Sequence, residues 1–267
     1  GYTNPSVSGT NQLFNIVAIP SGVYRYIREG RMVWPLTWAV IVGTLPGVLI
    51  GAVVRVQYLP NARNFKLFAA AVLAYIGARL IYDQFRKPKP GQDKQSAEKR
   101  FQELVKKHRE TGGEKLPGVR VIEFSVKSIA YEFYGETYRV SSFGIGALSF
   151  IVGIVGGIYG IGGGAIIAPF FVSVFGLPVY TVAGAALMGT FVTSVAGVLF
   201  YQAISPFYPG MSVAPDLALG VLFGLGGMAG MYMGARLQKF VPARAIKWML
   251  AGIIVFTAAK YVLDFLR

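Results

Sequence analysis

The charged residues of this chain are concentrated in one stretch, and this distribution constrains the fold more than any other feature. Between Arg86 and Arg139 lie 13 of the 26 basic residues and 8 of the 12 acidic ones. The rest of the chain holds only Glu29, Asp83, Asp216 and Asp264 as acids. Charged residues make up 14% of the chain, whereas a soluble domain has about 25%. The pattern predicts an all-α integral membrane protein with a polar insert between two apolar blocks.

Apolar stretches of the length that a bilayer requires, about 20 residues, recur in both blocks. We expect spans at 7–27, 34–56, 65–85, 142–160, 163–176, 180–203, 215–237 and 245–266. The short stretch 163–176 forms one glycine-interrupted tract with 142–160. We therefore divide the chain into a first membrane repeat (1–85), an insert (86–140) and a second membrane repeat (141–267).

The insert has the pattern of a small α/β subdomain rather than of an unstructured charged loop. Residues 96–110, SAEKRFQELVKKHRE, place Phe101, Leu104 and Val105 on one face of a predicted helix. Residues 119–140 alternate and are rich in β-branched and aromatic side chains, which favours a hairpin or short meander. Because basic segments of membrane proteins concentrate in the cytoplasm, we expect the insert to be cytoplasmic.

The two apolar blocks resemble each other, which indicates an internal duplication. SGTNQLFNIVAIPSGVYRY (8–26) aligns with AGAALMGTFVTSVAGVLFY (183–201), and GTLPGVLIGA (43–52) aligns with GGMAGMYMGA (226–235). Glycines four residues apart allow helices to pack closely in lipid. We expect two matching three-helix units, and infer that a counterpart of the tract 142–176 originally preceded Gly1.

Basic residues in the loops indicate how the two units are oriented. Loop 203–215 has no Lys or Arg, whereas 236–247 has Arg236, Lys239, Arg244 and Lys247. This places 203–215 outside and 236–247 in the cytoplasm, provided that the tract 142–176 enters and returns on one side as a hairpin. The units then form an inverted repeat, which we favour. A single crossing of the tract would make them parallel.

The stretch YGIGGGAIIAPFF (159–171) places Gly160, Gly162, Gly163 and Gly164 in one of the most apolar parts of the chain. A glycine costs a helix about 1 kcal/mol relative to alanine, so the cluster predicts a broken helix. The N–H groups around Gly162 to Ala165 would then lack intrahelical partners and attract an anion. Duplicated units with broken helices are a recurrent plan of transporters. The alternative is that the glycines serve only close helix crossing.

The motif GIGGGAIIAPFF, followed by AGAALMGTFVTSVAG, resembles the signature of the TauE/SafE family of sulfite exporter-like membrane permeases. The stretch NPSVSGTNQLFNI is similar to the first-repeat counterpart of that signature. The resemblance covers both membrane blocks and implies a carrier for small sulfur-containing or organic anions in a prokaryotic plasma (inner) membrane. The chain departs from the family in lacking the first glycine-rich tract and in its long insert.

Polar residues within the repeat helices are the predicted substrate contacts. Asn11 and Asn15 correspond to Ala186 and Thr190 in the alignment, and Thr193 and Ser194 follow one turn later. Hydrogen bonds between helices are the alternative interpretation. The predicted substrate-binding set is Gly160, Gly162, Gly163, Gly164, Ala165, Asn11, Asn15, Thr190, Thr193 and Ser194.

Two basic residues, Arg79 and Lys260, occupy matching positions near the ends of the last spans, each with an Asp four residues later. We consider them as charges that attract an anion along its path. The alternative is that both side chains extend to the membrane interface and pair with Asp83 and Asp264.

The remaining composition argues against catalysis and against nucleic-acid binding. The chain has no cysteine and one histidine, His108, which lies in the insert. No paired carboxylates or metal-ligand spacing occur, so we expect no enzyme, cofactor or metal. The expected function is transport of a small anion, sulfite or a sulfonate, by rocking two lipid-embedded units about a central site. Association into a homo-oligomer stays open, and a membrane scaffold or sensor whose insert binds a partner is the alternative function.

Overall fold

The computed structural model describes residues 4–85, 101, 103 and 118–266. Its helices are α1 (Ser6–Arg28), α2 (Trp34–Gln57), α3 (Ala62–Phe85), α4 (Ser142–Tyr159), α5 (Gly163–Ser173), α6 (Val179–Ile204), α7 (Leu217–Leu237) and α8 (Ala243–Leu266). The predicted spans are thus confirmed as helices. Among the described residues, five helices are long and apolar enough to cross a membrane: α2, α4, α6, α7 and α8.

A small antiparallel sheet follows the first three helices, with strands β1 (Arg120–Phe124), β2 (Ser128–Phe133) and β3 (Glu136–Ser141) in that order. This confirms the meander predicted for 119–140. Tyr134 and Gly135 turn the chain between β2 and β3 with φ values of 52° and 83°. Of the predicted insert helix, Phe101 and Glu103 are described and helical, and its other residues lie outside the described part.

The sheet defines one end of the helical bundle, here named the sheet end. The Tyr131 hydroxyl on β2 lies 2.9 Å from Thr181 Oγ1 at the start of α6. Helix α4 begins at Ser142, directly after β3. The α4–α5 tract therefore leaves from the sheet end and returns to it, as a hairpin does. Phe101 contributes to the same contact, because its ring centroid lies 4.7 Å from that of Tyr180.

The opposite end, here named the far end, contains the start of α1 and the segment before α7. Ser6 N–H donates to the Ser212 carbonyl at 3.0 Å, and the Thr10 hydroxyl accepts from Asp216 N–H at 2.9 Å. Since α1 ends where Val119 N–H donates to the Gly30 carbonyl at 2.9 Å, it runs from the far end to the sheet end. Helix α6 runs the other way, so α1 and α6 are antiparallel.

The third helices of the two apolar blocks, α3 and α8, are also antiparallel and pack mainly on each other. The Phe85 and Trp248 rings meet edge-on with centroids 5.9 Å apart at the sheet end. Farther along, Gly77 faces Val255. Because Gly77 precedes Phe85 while Val255 follows Trp248, the two helices run in opposite directions.

Helices α2 and α4 lie side by side with their backbones in contact. A Cβ added to Gly47 would lie 2.8 Å from the Ile154 nitrogen, and one added to Gly153 would lie 2.9 Å from Thr44 Cα. Only glycine allows such an approach, and close packing compensates for the absence of a hydrophobic driving force between helices in lipid. This contact places the end of α4 relative to α2.

A charged cluster, which we name the Glu29 cluster, joins α1 to the end of α7 at the sheet end. The Glu29 carboxylate lies 2.5 Å from Arg25, 2.7 Å from Arg31 and 3.2 Å from Lys239. The Tyr26 hydroxyl donates to the Gln238 side-chain oxygen. Burial raises the pKa of Tyr134, between β2 and β3, to about 12, and the Arg31 charge opposes part of this shift. The cluster therefore joins the end of α1 and the loop after it to the end of α7.

The helix contact between α2 and α4 yields a prediction, because Gly47 and its alignment partner Gly230 have different surroundings. A Cβ at Gly230 would meet nothing within 4 Å, whereas at Gly47 it would enter the α4 backbone. Overpacking costs about 1–3 kcal/mol, and Gly→Ala in an open helix position gains about 1 kcal/mol. We expect Gly47→Ala to lower the unfolding temperature of the detergent-purified protein and Gly230→Ala to leave it unchanged or raise it. Equal effects of both variants would contradict the packing described here.

Candidate functional site

The hairpin turn between α4 and α5 is the break predicted from the glycine cluster. Gly160 ends α4 with φ 79°, and Gly162 precedes α5 with φ 69°. Side chains are disfavoured in this left-handed region, so glycine is required at both positions. Gly163 and Gly164 have no such φ among the described residues. Their lack of a side chain has another cause.

Gly163 and Gly164 are needed because α5 is wedged between α2 and α6. A Cβ on Gly163 would lie 2.6 Å from Thr44 Cγ2, and one on Gly164 would overlap the Ala186 carbonyl. Thr44 lies near the middle of the 24-residue α2, and Ala186 lies in the first half of the 26-residue α6. The first turn of α5 is therefore held near the middle of the bundle.

The carbonyl groups at the end of α4 are bonded by side chains from α1 and α6. Ser8 Oγ donates to the Ile158 carbonyl at 3.2 Å, and Asn15 Nδ2 donates to the Ile161 carbonyl at the same distance. The Tyr201 hydroxyl donates to the Gly157 carbonyl at 3.4 Å. These bonds satisfy carbonyls that a helix end leaves without intrahelical partners. The carbonyl groups at the break thus have side-chain hydrogen-bond donors.

The amide groups at the start of α5 are treated differently. Helix α4 begins with Ser141 Oγ accepting from Gly144 N–H at 3.2 Å, and α7 begins with Asp216 Oδ1 accepting from Leu219 N–H at 2.9 Å. Helix α5 begins with Gly162, which has no side chain to accept from the first N–H groups. Helices α1, α2 and α6 also begin without a side-chain cap, but the first turn of α5 lies near the middle of the bundle. Buried N–H groups at a helix N-terminus, with the helix dipole behind them, form a site for an anion.

Hydroxyl groups from α6 surround this amide end. Gly162 faces Thr190 and Ser194, and a Cβ added to Gly162 would lie 3.2 Å from Ser194 Oγ. The Thr190 hydroxyl donates to the Ala186 carbonyl at 2.9 Å, and Ser194 Oγ accepts from Asn15 Nδ2 at 3.2 Å. Asn15 and Thr190, which share a position in the predicted repeat, therefore meet at the break.

Most of the predicted substrate-binding set comes together here: Gly160, Gly162, Gly163, Gly164, Asn15, Thr190 and Ser194. Thr193 is buried one turn away, where its hydroxyl donates to the Gly189 carbonyl at 2.8 Å. Ala165 lies in the first turn of α5, and its side chain is outside the described set. Asn11, one turn before Asn15 on α1, is exposed.

Several polar residues near the break were not identified from the sequence. Ser8 and Gln12 precede Asn15 by seven and three residues, so the three side chains lie on one buried face of α1. That spacing was visible in the sequence and could have identified them. Thr44 and Tyr201 belong to other helices and carried no such signal.

The two predicted pathway charges lie on the peripheral pair of helices. Arg79 is half-buried on α3, toward its sheet end, and Lys260 is exposed on α8. The side chains of Asp83 and Asp264 lie outside the described set, so their pairing with these cations stays a prediction. In the part of the chain that the structure describes, no group of three or more His, Cys, Asp and Glu residues comes together to hold a metal ion.

Comparison with known proteins identifies the family of this chain. The family model described as sulfite exporter TauE/SafE matches residues 2–261 of the 267 in the chain. No curated protein and no solved structure matches the chain. The family match spans both apolar blocks, the sheet and the glycine break. This integral membrane protein therefore belongs to the sulfite exporter TauE/SafE family.

Proposed function

We propose that this protein carries a small sulfur-containing anion, sulfite or a sulfonate, and holds it at the amide end of α5. The observation that carries the proposal is the difference between the carbonyl groups and the amide groups at the break. Side chains of α1 and α6 bond its carbonyl groups, whereas the amide end begins with a glycine that cannot cap it. The Ser194 hydroxyl beside Gly162 would donate to the anion, and the Thr190 hydroxyl would do so by turning its proton from the Ala186 carbonyl to the anion. Membership of a sulfite exporter family supports the choice of anion.

We further propose that the two apolar blocks form an inverted repeat. Three observations support this. Helix α1 is antiparallel to α6, and α3 is antiparallel to α8. Helix α1 packs on α7 as α6 packs on α2, which is the exchange that a pseudo-two-fold axis would produce. Alternating access would then consist of rocking one unit against the other about the break.

In this mechanism the Glu29 cluster closes the sheet end. Glu29 on the first unit bonds Lys239 after the second helix of the other unit, and Arg31 Nη2 donates to the Ala235 carbonyl at 2.9 Å. The break residues Gly162, Gly163 and Gly164 are buried in the same conformation. Opening toward the sheet end would require these bonds between the units to separate, while the bonds within α1 and its loop persist.

We assign the sheet end to the cytoplasm of a prokaryotic cell. Arg25, Arg31 and Lys239 all lie there, and basic residues near helix ends favour the cytoplasmic side. The segment 205–216 at the far end has no Lys or Arg. The far end would accordingly face the outside of the plasma membrane.

The binding site can be tested with two α6 threonines in matched surroundings. Thr190 and Thr193 are both buried and both donate to the carbonyl four residues earlier, but Thr190 faces Gly162 and Gly164. Thr190→Val keeps the shape and removes the hydroxyl, so the dissociation constant of sulfite should rise about fivefold, the equivalent of one hydrogen bond of about 1 kcal/mol. Thr193→Val should bind sulfite as the parent does. Titration calorimetry of the purified proteins measures both values.

A parent protein that neither binds nor transports sulfite or a panel of sulfonates would contradict the proposed function. If Thr190→Val instead binds sulfite with the parental affinity, the binding site does not lie at the amide end of α5. Equal weakening in both variants would point to a loss of packing in α6 rather than of a ligand contact.

The topology can be tested by labelling, since the chain has no native cysteine. Val126 in the β1–β2 turn is 91% exposed, and a Cβ at Gly210 at the far end would meet nothing within 4 Å. With a membrane-impermeant maleimide added to intact cells, we expect Gly210→Cys to react and Val126→Cys to react only after lysis. The reverse pattern would refute the assigned orientation. Labelling of both variants in intact cells would refute the placement of the sheet end and the far end on opposite sides of the membrane.

A further inference from the structure

Gln12 is a buried amide on α1 whose hydrogen-bonding groups are unused within the described structure. The residue is fully buried, and neither Nε2 nor Oε1 has a partner among the described residues. An amide withdrawn from water without hydrogen bonds destabilises the folded protein. A polar group kept at this cost points to a partner that the chain itself does not supply.

The internal repeat indicates that packing does not require an amide at this position. In the alignment of the two units, Gln12 corresponds to Leu187 and Gly22 corresponds to Gly197. A Cβ added to Gly197 would lie 2.5 Å from Gln12 Cδ. In the matching contact, a Cβ added to Gly22 would lie 3.4 Å from Leu187 Cδ1. The same place against a glycine is thus filled by leucine in one unit and by glutamine in the other.

The surroundings of the two matching side chains differ in polarity. Ser8 and Asn15, one turn away from Gln12 on either side along α1, both donate to carbonyl groups of the break. Leu187 instead packs against an apolar cluster formed by α1 and α7. The polar member of the pair therefore lies between two residues that bond the break, and the apolar member lies among apolar side chains.

The Gln12 amide lies close to the proposed anion site along α6. Gly197, which the amide contacts, follows Ser194 by three residues. Ser194 in turn faces Gly162 at the start of α5. The two contacts are therefore separated by about one helix turn, or about 5.4 Å along the axis. A ligand with its charged group at the α5 amides and a short carbon chain can reach the Gln12 amide.

The two polar atoms of the amide restrict the chemistry of such a ligand. Nε2 carries two N–H donors, whereas Oε1 can only accept. The oxygens of an ionised oxyanion only accept as well, so such a group can bond Nε2 but leaves Oε1 buried and unpaired. A ligand that also carries an O–H or N–H group can donate to Oε1 and satisfies both atoms.

We propose that Gln12 is a specificity-determining residue that recognises a hydrogen-bond donor on the substrate. The substrate is then a sulfonate that carries an O–H or N–H group at the end of a short carbon chain. Its sulfonate oxygens accept from the α5 amides, and its O–H or N–H group donates to Gln12 Oε1. This inference names the substrate class of the proposed function and rests on it.

Two sulfonates of nearly equal shape test this assignment. Hydroxyethanesulfonate and propanesulfonate differ only in a hydroxyl group that replaces a methyl group. We expect the purified parent protein to bind hydroxyethanesulfonate about tenfold more tightly, because a site that bonds a ligand hydroxyl rejects the analogue without it. Gln12→Leu should lose this preference, and sulfite, which lacks the carbon chain, should bind parent and variant alike. Titration calorimetry measures each dissociation constant.

Control variants separate recognition from packing. Gln202→Leu removes an exposed amide of α6 and should keep the parental preference. Gln12→Leu should unfold at or above the parental temperature, since leucine fills the matching place in the other unit. Gln12→Met, with an unbranched side chain of similar length, is the second variant and should also lose the preference.

The outcomes distinguish this inference from the function on which it rests. A parent protein that binds both sulfonates equally would overturn the role of Gln12, and this result needs no variant. A preference that persists in Gln12→Leu or in Gln12→Met would overturn it too, because another group would then recognise the hydroxyl. A parent protein that binds neither sulfonate and no sulfite would instead refute the proposed function itself.

Discussion

A backbone that leaves the helical path inside a bilayer finds no water there, so protein groups must bond its N–H and C=O groups. The hairpin between α4 and α5 imposes this requirement on the rest of the molecule. Helices α1 and α6 meet it with Ser8, Asn15 and Tyr201, which bond three carbonyl groups around the turn. These two helices therefore line the break and also bond its carbonyl groups.

The depth of the break follows from helix packing. Because Gly47 and Gly153 allow the backbones of α2 and α4 to touch, α4 is fixed along the length of α2. Gly163 then brings the start of α5 against Thr44, near the middle of α2. A half-helix dipole placed at that depth acts where the surrounding dielectric is low, and its effect on an anion is correspondingly large. Small residues thus determine the depth at which the amide end of α5 lies.

Basic residues lie on both sides of the amide end of α5, toward the sheet end and toward the far end. At the sheet end, one carboxylate, Glu29, contacts three cations, which leaves the cluster with an excess of positive charge. Toward the far end, Arg55 is buried in the last turn of α2, where its guanidinium lies 4.3 Å from the centroid of the Phe65 ring.

The sequence by itself determined the elements of this protein. The spans, the meander at 119–140 and the break at the glycine cluster follow from hydropathy, alternation and helix propensity, which are properties of neighbouring residues along the chain. The internal alignment also paired Asn15 with Thr190, and the structure places both beside the break; that they bind a substrate stays a prediction. The family was recognisable from the glycine motif for the same local reason, and the match over residues 2–261 confirms it.

Tertiary structure decided which side of each helix meets which partner. Asn11 is exposed although Asn15, one turn away, reaches the break, and Thr193 bonds its own helix. Ser8, Thr44 and Tyr201 lie on three different helices and come together near the break only in the folded structure, so no local sequence pattern predicts their proximity. Gly47 is covered by α4 whereas its alignment partner Gly230 is open, so equivalent sequence does not ensure equivalent contact. The physical reason is that a helix in lipid can be apolar on every face, and only its neighbours select the face that binds.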